Sequence, residues 1–142
     1  EILQRSPLLI ADGAHNPAGA ATLSRALRND FPHRRLILLF GVLADKDYRT
    51  MVRRLFPLAD RVIVTRPHSE RALSPDRLRA CAGSAARVEV IEDPRSALHR
   101  ALRLAGKDDL VCAAGSLYLV GEIKRLMRNM NAGPPGVLRE DH

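Results

Sequence analysis

Asp12-Gly13-Ala14-His15-Asn16-Pro17 decides how this chain folds, because it joins an apolar run to a capped helix through a turn bearing two chemically capable side chains. Pro7-Leu8-Leu9-Ile10-Ala11 predicts a short buried strand that delivers Asp12 at its carboxyl end. Asn16 predicts a helix cap, since its side-chain oxygen accepts from an orphan amide. Pro17 suits the first helical position, where a missing N–H has no partner to lose. Open α/β sheets collect ligands on this frame, at strand carboxyl ends and helix amino-termini.

The same alternation repeats outward from that stretch. Ala20, Leu23, Ala26 and Leu27 give the first helix one apolar face, and Leu36–Phe40 predicts a second buried strand ending at Gly41. Tyr48, Met51, Val52, Leu55 and Phe56 follow at helical spacing, with Pro57 as terminator. Val62-Ile63-Val64 is a third strand, running into the long loop Thr65–Arg71. Ser74-Pro75 and Asp93-Pro94 each repeat the cap-plus-proline signature, on either side of a strand at Val88–Ile91. Leu110–Ala114 is the fifth strong strand, and Ser116 opens a last helix with Leu119, Val120, Ile123, Met127 and Met130 expected inward. Glu1-Ile2-Leu3 predicts an antiparallel edge, and residues 131–142 a disordered tail beyond a domain of residues 1–130. Apolar strands alternating with helices imply a Rossmann-like three-layer α/β/α fold: a mostly parallel sheet of about six strands with one antiparallel edge strand.

Composition narrows the class. With 142 residues, 46% of them hydrophobic, the chain is one domain with an ordinary core and no apolar run long enough to span a membrane. Cys81 and Cys112 lack metal-ligand spacing, and His33, His68, His99 and His142 are not spaced for ligation, so no metal site is expected here. Free thiols point to a reducing, cytoplasmic setting. The net charge of +7 suggests phosphate-bearing partners. Its arginines are nevertheless scattered over every predicted helix, and no basic run is interleaved with aromatics, which argues against nucleic acid.

Right-handed crossovers bring the carboxyl ends of all parallel strands to one edge, so Asp12, His15, Lys46 and Ser116 are expected on one rim. GxGxxG and GxxxxGK[ST] are both absent, so the turn is not built to wrap a triphosphate by itself. Asp12 suits a ribose, whose two hydroxyls a carboxylate can accept; the other reading is a turn former. His15 offers a donor and an acceptor, or serves only to fix the turn. Lys46 is a point charge for phosphate or a substrate carboxylate unless Asp45 and Asp47 neutralise it, and Asp47 can cap the next helix. Ser116 is at least a helix cap.

Asp12-Gly13-Ala14-His15-Asn16-Pro17 resembles the motif that opens the carboxy-terminal domain of folylpolyglutamate synthases and dihydrofolate synthases, members of the Mur ligase superfamily. Gly41-Val42-Leu43-Ala44-Asp45-Lys46-Asp47 resembles the family's glycine loop, and Gly115-Ser116-Leu117-Tyr118-Leu119-Val120-Gly121-Glu122 its last strand-to-helix turn. The likeness runs to about Met130. It implies an ATP-dependent ligase that phosphorylates a carboxylate on a folate or dihydropteroate substrate and adds L-glutamate, as folylpolyglutamate synthase alone or also as dihydrofolate synthase. Asp12 would contact the nucleotide, His15 the reacting carboxylate or incoming glutamate, and Ser116 the amino acid; Arg71 falls where the family also has an arginine. The phosphate loop and magnesium ligands belong to an amino-terminal ATPase domain absent from this chain, which is expected to be inactive alone. Two alternatives stay open: a Mur-type ligase domain for another amino acid, and a stand-alone nucleotide-binding module without catalysis.

Overall fold

A computed structural model describes residues 1–83 and 87–132. Its centre is a six-stranded sheet in the order β1-β2-β6-β3-β4-β5. The strands are β1 (Ile2–Arg5), β2 (Leu8–Ala11), β3 (Leu36–Phe40), β4 (Arg61–Val64), β5 (Val88–Val90) and β6 (Leu110–Ala114). Only β1 is antiparallel, pairing with β2; every other neighbour pair is parallel. The helices are α1 (Pro17–Asn29), α2 (Tyr48–Leu55), α3 (Pro75–Cys81), α4 (Pro94–Leu104) and α5 (Leu117–Ala132), with a short 3-10 turn at Phe56–Leu58.

Side chains alternate across a strand with a period of two, which explains why the central strands are apolar throughout. Ile10, Leu36, Leu38, Phe40, Val62, Val64 and Cys112 pack with residues of α1, α2 and α3 on one face. Leu9, Ile37, Leu39, Ile63, Val111 and Ala113 pack with α4 and α5 on the other. The expected three-layer α/β/α sheet with one antiparallel edge strand is what forms.

Local expectations hold at most boundaries. Asn16, Asp47 and Asp93 cap α1, α2 and α4 through their side chains. Ser74 makes no side-chain cap bond ahead of α3. Met130, expected inward, is 45% exposed, because α5 outruns the sheet that covers its earlier turns. Asn131 and Ala132, assigned to the tail, are helical for the same reason; residues 133–142 of that tail lie outside the described residues. No described helix is long and apolar enough to cross a membrane.

Candidate functional site

Four loops meet at the carboxyl edge of the sheet. The β2–α1 turn is held by its own polar groups: Asp12 Oδ1 accepts from Ala14 N at 2.9 Å, and Asn16 Oδ1 accepts from Gly19 N at 2.8 Å. His15 Nδ1 lies 2.7 Å from the Gly13 carbonyl oxygen. A carbonyl only accepts, so Nδ1 carries a proton and the turn leaves Nε2 as the atom for other partners.

The β6–α5 turn crosses directly behind it, Gly115 N donating to Ala14 O at 3.0 Å. Gly115 has φ +115°, and a Cβ there would run into the Gly41 carbonyl. Only glycine suits that conformation and that approach. Ser116 is 1% exposed and its Oγ accepts from Leu119 N at 3.0 Å, which makes it the cap of α5. Its hydroxyl hydrogen is still available as a donor.

The β3–α2 loop adds Lys46. Both carboxylates beside this lysine are engaged elsewhere. Asp45 pairs with Arg71, which holds its carboxyl below the usual range. Asp47 accepts from Thr50 N and Thr50 Oγ1, and those bonds lower its carboxyl in the same way. Among the described residues Lys46 therefore has no ion-pair partner within 4.0 Å, although its charge still acts on the Asp45 carboxyl.

His15, Lys46 and Ser116 line one cavity of about 190 Å³, together with Leu43, Arg71, Gly115, Leu117 and Tyr118. That is smaller than the roughly 300 Å³ at which sites for drug-sized ligands begin, so the hollow suits a small polar molecule. Asp12 stands three residues before His15 on the same edge but outside the cavity wall. Oδ2 of Asp12 accepts no bond among the described residues. Larger hollows lie elsewhere, about 490 Å³ beside Arg61, Arg79 and Arg87, and about 410 Å³ at the amino ends of the strands beside Arg5, Arg34 and Lys107. Volume alone is a poor guide here, because neither is lined by residues from the motif-bearing turns.

Arg71, marked in the sequence only by the family resemblance, also stands in the wall. Its signal is tertiary: Ala44 N donates to Arg71 O at 2.8 Å and Leu73 N to Val42 O at 2.9 Å, so the 65–73 loop is stitched to the β3–α2 loop. Leu117 and Tyr118, 63% and 50% exposed, add an apolar lip that helical periodicity had no reason to assign.

Residues 1–117 match the family described as Mur ligase, glutamate ligase domain. The dihydrofolate synthase/folylpolyglutamate synthase of Mycobacterium tuberculosis is 37% identical over 107 residues, covering 73% of this chain and 22% of that protein. A crystal structure of the Mycobacterium tuberculosis folylpolyglutamate synthase complexed with ADP and AMPPCP superposes with a TM-score of 0.84 at 32% identity, over 91% of this chain and 31% of that one. A bifunctional folylpolyglutamate synthase/dihydrofolate synthase with Mn, AMPPNP and L-glutamate bound gives 0.81 at 26% identity over 91% and 31%. The chain spans 15% to 30% of the length of the curated relatives it matches.

Proposed function

Since this chain belongs to the Mur ligase glutamate-ligase domain family, we propose that it is the carboxy-terminal domain, residues 1–130, of an ATP-dependent ligase that adds L-glutamate to folate. The observation that carries this reading is the small cavity where Lys46, Arg71, His15 and Ser116 meet while the carboxylates flanking Lys46 are occupied. A glutamate brings two carboxylates; Lys46 is a fitting counter-charge for one, and Arg71, already paired with Asp45, has further N–H donors to offer the other.

In this reading a substrate carboxylate oxygen attacks the terminal phosphorus of ATP and ADP leaves. The amine of glutamate then attacks the acyl carbon, and phosphate leaves as the amide forms. Asp12 accepts from the ribose hydroxyls through its uncommitted oxygen. His15, with Nδ1 held on Gly13, turns Nε2 toward the incoming amino acid or the developing charge. Lys46 and Ser116 hold the amino acid. Closing this face over the reacting groups keeps out water that would otherwise hydrolyse the acyl phosphate.

Among the described residues no three His, Cys, Asp or Glu groups cluster as a metal site. On the family resemblance we assign the magnesium ligands, with the phosphate loop, to an amino-terminal ATPase domain, which is also this domain's partner. Folate or dihydropteroate is the other substrate. Free Cys81 and Cys112 fit a reducing cytoplasm.

Steady-state kinetics of the full-length protein test the assignment. Asp12→Ala is expected to raise the KM for ATP about tenfold, the scale of one charge-assisted hydrogen bond. His15→Ala is expected to lower kcat for amide formation on the order of a hundredfold. Wild-type kinetics for both variants would remove these residues from the site.

A further inference from the structure

One carboxylate inside the molecule has no part in the site described above. Glu122 sits on α5 beside Ile123 and is 6% exposed. His68 Nδ1, in the loop after β4, lies 3.0 Å from its Oε1, and Arg125 on the same helix reaches only 4.0 Å. Asp93, capping α4, is the remaining charge that acts on it, in the opposite sense. A carboxylate buried on a packing helix costs free energy unless something compensates it. Here the compensation comes from a loop that has other work.

That loop is held at both ends and turned at its middle. Thr65 Oγ1 donates to Glu92 O at 3.0 Å, and Arg66 N donates to the same carbonyl at 3.1 Å. Pro67 is packed against Gly41, where a Cβ would come within 3.0 Å of its ring. His68 then reaches to Glu122, and three residues later Arg71 enters the cavity wall beside Lys46. Ser69 and Ala72 bond only within the segment, Ala72 N to Ser69 O at 3.1 Å. Between Pro67 and the Ala44–Arg71 bond, the His68–Glu122 contact is the tie that fixes the loop to a helix.

We propose that Glu122 is a positioning residue: through His68 it anchors the 65–73 loop to α5, and so fixes where Arg71 stands to receive a carboxylate of the amino-acid substrate. The proposal rests on the cavity being the amino-acid site. Glu122 is three residues beyond Leu119, whose amide the Ser116 cap holds, so one helix carries both the cap of the site and the anchor of its guanidinium.

Two measurements on the full-length protein test it. Amide hydrogen exchange at Ala44 and Leu73 reads the loop-to-loop bonds directly. Glu122→Ala and His68→Ala are expected to speed both amides about fivefold, the upper weight of a contact with one exposed partner. Glu122→Gln, which keeps the shape but removes the charge that His68 faces, is expected to do the same. Kinetics then read the consequence: Glu122→Ala raises the KM for glutamate about fivefold, with the KM for ATP and kcat within about twofold. Unchanged exchange in Glu122→Ala overturns the anchor. Faster exchange with an unchanged glutamate KM overturns the link to Arg71. If Lys46→Ala also leaves that KM unchanged, the amino-acid site itself is misassigned, while the exchange arm still decides the anchor.

Discussion

Gly115 shows how much one residue type decides at this edge. Its φ of +115° and its contact with the Gly41 carbonyl let the β6–α5 turn pass behind the β2–α1 turn and bond to Ala14. Gly115→Ala is expected to cost about 2 kcal/mol, combining a strained conformation with displaced backbone, and urea unfolding midpoints check it. Residue by residue, the site was half legible. Asp12, His15, Lys46 and Ser116 stand in turns whose composition announces them, and three of the four line one cavity. Arg71 was not legible, because one arginine in a chain rich in them gains meaning only from its bond to the Ala44 amide. Glu122 was hidden for another reason: acid positions on a helix read as solvated, and its burial depends on a loop distant in sequence.

At the level of the element, three cap-plus-proline signatures look alike in the sequence and differ in the fold. Asp93 accepts from both Ser96 N and Ser96 Oγ, at 3.0 and 2.9 Å, and these bonds hold its carboxyl below the usual range. Ser74 accepts from no amide ahead of α3. Asp93→Ala should therefore cost about 1 kcal/mol and Ser74→Ala under about 0.5 kcal/mol, a contrast thermal unfolding can resolve. Apolar periodicity placed all five helices, but it cannot tell how far the sheet extends beneath them. Met130 continues the stripe of α5 and still faces solvent, one turn beyond Met127, the last residue of the helix that the core buries.

Over the whole molecule, two carboxyl groups shape stability against pH in opposite directions. Asp109, 4% exposed, accepts from Arg35 and Gly106 N, and the Arg35 bonds hold its carboxyl below the usual range. Its contribution is fully present above the unfolded value of about 3.9 and is lost as pH falls through the lower folded value. Burial pushes the Glu122 carboxyl up, so its contribution is fully present below about 4.3 and is lost as pH rises through the higher folded value. Denaturation series from about pH 3 to 8 should show Asp109→Asn losing stability relative to wild type at the upper end. Over the same range Glu122→Gln should gain relative to wild type as pH rises. Fold class was legible from alternation alone. Strand order was not, since every central strand is apolar on both faces and nothing local states its neighbours. That order puts β6 between β2 and β3, bonded to both. During synthesis the ribosome releases the two flanking strands long before the one that joins them, so the emerging chain has halves with an unfilled seam. Folding of the domain must wait for residues Leu110–Ala114. A chain ended at Gly106 is expected to show no cooperative unfolding transition, which circular dichroism through a urea series checks.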